Sequence, residues 1–192
     1  MKNIILASGS PRRKMLLEWA ELKFVVRVSD VEESYPASLT PTDVAKFIAE
    51  NKNKAVFEEL SSQELDQSIV ISADTIVVLQ DKIIGKPVDR EDAIKILNRL
   101  SSHQHAVITA VHIRSVETEI SFTETTTVYF HELTPGQIIH YVDNYKPYDK
   151  AGAYAIQEWI GVVGIEKIEG DFYNVMGLPI SRVLKTLNEN FF

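Results

Sequence analysis

The sequence predicts an α/β fold with a mixed β-sheet flanked by helices. Short apolar runs rich in β-branched residues alternate with helical patterns along the chain. Several helices carry explicit start signals. Two long apolar runs in the middle of the chain stand close enough to pair antiparallel, which makes the sheet mixed. With 192 residues, the chain suits one domain, or two small lobes sharing a core.

The strand candidates, in order, are Ile4–Ala7, Phe24–Val28, Ile69–Ser72, Ile76–Leu79, Ala106–Arg114, Glu119–Phe130 and Gly161–Ile168. Ser10-Pro11 and Thr40-Pro41 each place a capping hydroxyl before a proline at the first helical position. Thr134-Pro135 does the same, with Gln137 completing a capping box. Asp89 followed by Asp92 opens another helix, with Ala93, Ile96, Leu97 and Leu100 on one face. A last helix follows Pro179, turning Val183, Leu184 and Leu187 inward.

Composition excludes several classes. The chain has no Cys, so a disulfide scaffold, an iron–sulfur cluster and a thiol nucleophile are ruled out. Twenty Lys and Arg against 27 Asp and Glu leave a net charge of −7. That argues against nucleic-acid binding through bulk positive charge, so an anionic ligand would need cations gathered locally. The opening Met1–Ala7 lacks the pattern of a signal peptide, and no apolar run approaches the length of a membrane span. A cytoplasmic protein with no membrane partner is expected.

The segment Ile4-Ile5-Leu6-Ala7-Ser8-Gly9-Ser10-Pro11-Arg12-Arg13 carries the most information. A buried strand ends in small hydroxyl residues, Gly9 permits a tight turn, and Ser10-Pro11 starts a helix. Arg12, Arg13 and Lys14 then crowd the first turn, against a macrodipole that favours acidic residues there. Backbone N–H groups, the Ser8 and Ser10 hydroxyls and arginine forks together describe a phosphate cradle. A solvated basic turn paired to nearby carboxylates is the alternative.

Ser8-Gly9-Ser10-Pro11-Arg12-Arg13 resembles the amino-terminal signature of the Maf family of nucleoside triphosphate pyrophosphatases. Further similar stretches follow in the same order: Val31-Glu32-Glu33-Ser34, Ala73-Asp74-Thr75, Gly85-Lys86-Pro87, Asp149–Gln157 and Tyr173–Pro179. The resemblance implies a Maf/ITPase-like fold over residues 1–192, with two lobes around a twisted mixed sheet and a central cleft. It implies hydrolysis of dTTP and UTP to the monophosphate and pyrophosphate, extending to modified pyrimidine nucleotides, with Mg²⁺ or Mn²⁺. A non-catalytic nucleotide-binding regulator of septum formation and a pyrophosphatase preferring 7-methyl-GTP are the other readings. A homodimer is left open.

Asp74 follows the apolar run Ile69–Ala73, which places it where a buried strand emerges, the edge at which α/β proteins bind ligands. A carboxylate there can hold a divalent metal or take a proton from water; an Asp closing a turn between two strands is equally compatible. The resemblance puts the general base on Asp74 and an acidic metal-binding or water-orienting position on Glu33. In the helix after Thr40, Lys52 and Lys54 fall at about 80° on opposite flanks of the Val44–Ile48–Ala55 stripe, so periodicity does not choose between them. The family pattern matches Lys52, with Asn53 standing where Ala is usual, and Lys54-Ala55 gives a second, shifted match. Lys86 in Gly85-Lys86-Pro87 is a mobile point charge or an exposed hairpin lysine.

Asp149–Gln157 joins the charge pair of Asp149 and Lys150, the latter a substrate-binding candidate, to a run of small residues. Gln157 offers donor and acceptors that suit the acceptor–donor–acceptor edge of uracil or thymine. The family's pyrimidine branch has Gln at this position, and Arg12 and Thr75 match the other positions linked to substrate choice. Three departures from the pattern bear on loop shape: Ser101-Ser102 for Ser-Gly, Thr109-Ala110 for Thr-Gly, and Glu158 for Gly.

Overall fold

A computed structural model describes residues 2–192. A mixed sheet of seven strands organises the described chain, in the order β2-β1-β3-β5-β6-β7, with β4 paired to β3. The strands are β1 (Asn3–Leu6), β2 (Phe24–Val26), β3 (Ser68–Leu79), β4 (Lys82–Ile84), β5 (Gln104–Arg114), β6 (Glu119–Phe130) and β7 (Ile165–Glu169). Parallel pairing of β1 with both β2 and β3, and antiparallel pairing of β3 with β4 and of β6 with β7, make the mixed sheet the sequence predicts.

The helices are α1 (Pro11–Trp19), α2 (Pro41–Glu58), α3 (Ser62–Gln67), α4 (Arg90–Leu100), α5 (Pro135–Tyr145), α6 (Trp159–Gly164), α7 (Phe172–Met176) and α8 (Ile180–Asn190). The start signals translate into caps. Thr40 accepts from the Asp43 N–H, Asp89 from the Asp92 N–H, and Thr134 with Gln137 forms the reciprocal capping box. Ser10 occupies the N-cap of α1, but its side chain makes no capping hydrogen bond. The capping box Ser61–Glu64 opens α3, a short helix missed from the sequence although its S-x-x-E signal is present.

Two expectations are corrected. Ile69–Ser72 and Ile76–Leu79 are one continuous strand of 12 residues, β3, so Asp74 neither ends a strand nor closes a turn. Every residue of Ser68–Leu79 except Thr75 and Val78 is buried, and this continuous burial holds the strand extended through Asp74. Partnership with β1 nonetheless stops at Ile71, three residues earlier. Gly161–Val163 are helical in α6, and only Ile165–Glu169 form the strand. The helix starts in close contact with the preceding segment: a Cβ built at Gly161 would lie 1.7 Å from the Ile156 carbonyl oxygen, a contact that only glycine allows.

The described chain divides into two compact units. One comprises residues up to Asp74 with Thr109–Glu124 and Gly177–Phe192; the other comprises Thr75–Ile108 and Thr125–Met176. In the first, Ile5 and Ala7 from the start of the chain pack with Val56 and Leu60 from α2 and its end, and with Val70 of β3. In the second, α4 and α5 pack against each other, with Ile96, Leu97 and Leu100 buried on α4 and Ile138, Tyr141 and Val142 buried on α5. Each such fully buried aliphatic side chain contributes about 1.5–3 kcal/mol. Among the described residues no helix is long and apolar enough to cross a membrane.

Candidate functional site

In the first unit, the turn after β1 is built around Arg13. Ser8 is 8% and Arg13 7% exposed. The Ser8 Oγ accepts from the Ser10 N–H at 3.3 Å and from Arg13 Nη1 at 3.0 Å. Arg13 Nε donates to the Gly177 carbonyl at 2.8 Å, tying α1 to the segment before α8. Burial lowers the pKa of Arg13, and the charges of Asp74 and Glu33 act in the opposite sense. Arg13 is therefore a buried, spoken-for cation, whereas Arg12 beside it is half-buried. Lys14 points away and pairs with Glu18 at 3.7 Å. The first turn of α1 contains no acidic residue, so the positive end of the helix adds to the field of the arginines.

Helix α2 and strand β3 supply the second group. Lys52 Nζ lies 2.6 Å from Glu33 Oε1 and 2.7 Å from Asp74 Oδ1. The side chains of Lys52 and Asp74 are 18% and 12% exposed, so the pair is largely desolvated, while Glu33 is half exposed. Lys54 projects to the other side, 62% exposed, and faces Glu58 at 3.8 Å. What periodicity left open, tertiary packing decides: Lys52 turns toward β3. Its register is held by two further ties. Asn53, fully buried, donates through Nδ2 to the Val70 carbonyl at 2.9 Å and to the His112 carbonyl at 3.1 Å. Ser72 Oγ donates to the Ala49 carbonyl at 2.6 Å. Asn53 and Ser72 pin α2 to the sheet close to the Lys52–Asp74 contact, a role that no local pattern reveals.

The second unit assembles the other sequence candidates. Thr75 is half-buried on β3, and Lys86 is exposed just after β4. The Gly85 carbonyl accepts from the Gly152 N–H at 3.2 Å, so the Gly85-Lys86-Pro87 turn and the Asp149–Gln157 segment are joined. Gly152 has φ +71°, and a Cβ there would press on Val77 Cγ2 at 3.0 Å, which accounts for glycine at the centre of that run. Lys150, 8% exposed, sits 2.7 Å from Asp149 and 3.6 Å from Glu158. Gln157 is exposed and lines an open groove of about 510 Å³ with Ile156, Val162, Ile165 and Phe172.

Below this segment lies a buried aromatic cluster. His105 stacks on Phe130 at 5.5 Å and meets Tyr154 edge-on at 5.4 Å, with its Nε2 2.7 Å from the Tyr154 hydroxyl. Burial lowers the His105 pKa to about 4 and raises that of Tyr154, so both are neutral at physiological pH. Asn174, fully buried, donates to the Val107 carbonyl and to Thr126 Oγ1, both at 3.0 Å, and fixes α7 to the sheet.

The metal expectation can be set against the donor chemistry. Among the described residues no group of three His, Cys, Asp or Glu side chains converges on one point. Glu33 and Asp74 do converge on a single cation, the Lys52 ammonium. Two carboxylates suit a hard divalent ion that takes its remaining oxygens from water and phosphate, the usual habit of Mg²⁺. The residues fit the ion.

Comparison with known proteins identifies the family. A sequence model of the family Maf, described as "Maf-like protein", matches residues 3–190. A protein of Cytophaga hutchinsonii named dTTP/UTP pyrophosphatase is 47% identical over 98% of this chain and 84% of its own length. Proteins of the same name from Parabacteroides distasonis and Bacteroides thetaiotaomicron are 46% and 45% identical, covering 96% and 97% of this chain and 94% and 95% of theirs. A family match over nearly the whole length, in a chain whose signature residues take up these contacts, places the protein in the Maf family.

Proposed function

We propose that the protein is a nucleoside triphosphate pyrophosphatase that hydrolyses dTTP and UTP to the monophosphate and pyrophosphate. The names of its relatives support the substrate pair. The observation that carries the chemistry is the convergence of Glu33 and Asp74 on Lys52 Nζ at 2.6 and 2.7 Å beside the buried Arg13. Negative charge for a metal and a general base thus stands next to fixed positive charge for phosphate, in a largely desolvated setting where such interactions are strongest.

In this reading Asp74 accepts a proton from water as the water oxygen bonds to the α-phosphorus. The bond from the α-phosphorus to the α–β bridging oxygen breaks, and its electron pair leaves with pyrophosphate. Arg12, Lys52 and Lys86 neutralise the phosphate oxygens, and Arg13 with Ser8 and Ser10 shapes the turn that receives them. Thr75 and Gln157 choose the base, Gln157 by pairing with the acceptor–donor–acceptor edge of uracil and thymine. Glu33 and Asp74 would hold Mg²⁺ or Mn²⁺, which supplies charge neutralisation and water activation when bound.

Pyrophosphate release from a panel of nucleoside triphosphates tests the proposal. dTTP and UTP should be the fastest substrates, with activity lost in EDTA and restored by Mg²⁺ or Mn²⁺. Faster turnover of guanine nucleotides refutes the base preference. Nucleotide binding without pyrophosphate release refutes the enzyme.

A further inference from the structure

The residue after Gln157 departs from the family pattern, which commonly has Gly there; this chain has Glu158. Glycine offers the glutamine loop no side-chain tether on that side, and Glu158 supplies one. Its carboxylate accepts a hydrogen bond from the hydroxyl of Tyr141, a fully buried residue of α5. The same hydroxyl accepts from the Ala155 N–H at 3.2 Å, so one phenol holds the loop on both sides of Gln157. The other carboxylate oxygen of Glu158 lies 3.6 Å from Lys150 Nζ, which also binds Asp149 at 2.7 Å.

The backbone closes the same knot. The Glu158 N–H donates to the Ala155 carbonyl at 3.1 Å, and the Gly161 N–H donates to the Glu158 carbonyl at 2.9 Å. α6 then packs so tightly on Ile156 that position 161 has no room for a Cβ. Ala155 and Ile156 are buried, and Gln157 is the exposed residue between them and the anchored Glu158. An amide that discriminates bases by hydrogen bonding must be held to a fraction of an ångström, because a misplaced donor or acceptor loses its selectivity.

We infer that Glu158, braced by Tyr141 and Lys150, is a positioning residue that holds Gln157 in register with the pyrimidine edge and so determines discrimination of uracil and thymine from cytosine. Lys150 accordingly acts on the loop through Glu158, with its ammonium shared between two carboxylates. The inference rests on the base-reading role proposed for Gln157.

The test measures kcat/KM for dTTP and dCTP in the wild type and in Glu158→Gly, Glu158→Gln, Tyr141→Phe and Gln157→Ala, with melting of each variant followed by circular dichroism. Loss of a hydrogen bond to a charged group is worth about tenfold. Glu158→Gly and Tyr141→Phe should each cut the dTTP-to-dCTP ratio by about that factor, the loss falling on KM for dTTP. Glu158→Gln keeps an acceptor for the Tyr141 hydroxyl and should recover most of the ratio. Should Tyr141→Phe fail to fold, the partly exposed Glu158 pair of variants decides alone. A ratio that collapses in Gln157→Ala but stays at the wild-type value in both Glu158 variants overturns the positioning role and leaves the base reader standing. A ratio unchanged in Gln157→Ala overturns both.

Discussion

The Lys52 ammonium lies 2.7 Å from the Asp74 carboxylate, joining the middle of α2 to the middle of β3, and a second carboxylate, Glu33, meets it at 2.6 Å. One cation thus collects two acidic groups that are 41 positions apart in the chain. This contact gathers the acidic half of the proposed site and distinguishes Lys52 from Lys54.

Asp74→Asn should lower turnover of dTTP by at least about a hundredfold, the range of a lost general base, while nucleotide binding persists. Pyrophosphate release and equilibrium binding measured on one preparation separate the two effects. Unaltered turnover would sink the assignment of the base. Lys52→Met should depress kcat/KM, whereas Lys54→Met, which removes only an exposed contact with Glu58, should leave it within about twofold.

Arg13→Lys preserves the charge but not the fork that reaches both the Ser8 hydroxyl and the Gly177 carbonyl. One of these two buried hydrogen bonds is then lost, at a cost of about 1–3 kcal/mol. Urea denaturation should show a lowered midpoint with an unchanged slope. Wild-type stability in the variant would show that Arg13 is a solvent-facing phosphate ligand instead.

Stability should fall on the acid side through His105. Burial sets its pKa at about 4 in the folded protein, below the value of about 6.5 expected when unfolded. The unfolded chain therefore takes up the proton first. The contribution is complete above pH 6.5 or so and is lost as the pH falls toward 4, about 3 kcal/mol in all. His112, also lowered by burial, acts in the same direction. Denaturation midpoints recorded from pH 7 to pH 4 should slope downward, and His105→Phe should flatten part of that slope. A flat wild-type profile would contradict the burial of both histidines.

Ser102 stands where the family usually has glycine and adopts φ +59°, the left-handed region that favours glycine. Ser102→Gly should therefore raise stability by about 1 kcal/mol, read as an increase in melting temperature. Destabilisation would mean that the serine side chain makes a compensating contact.

Much of the architecture was legible locally. The caps at Thr40, Asp89 and Thr134 act over three residues, and the apolar faces of α4 and α5 repeat with the helical period, so both signals lie within one element. The errors occurred where a neighbour overruled the segment. Val162 and Val163 carry β-branched propensity, yet both lie in α6, whose Gly161 packs against the Ile156 carbonyl. Asp74 looked like a breaker between two strands, yet the burial on both sides of it keeps β3 continuous.

By itself, then, the sequence determined the α/β class, the helix starts, and the residues of each signature, because periodicity, capping and the order of motifs need no knowledge of the partner. Only the tertiary structure decided which lysine meets Asp74, that Arg13 is stapled to Gly177, and that Tyr141 and Glu158 brace the glutamine loop. Those choices depend on residues 17 to 164 positions apart converging in space. A hydroxyl on an apolar helix face or a glutamate in a loop reveals its partner only when the chain has folded around it.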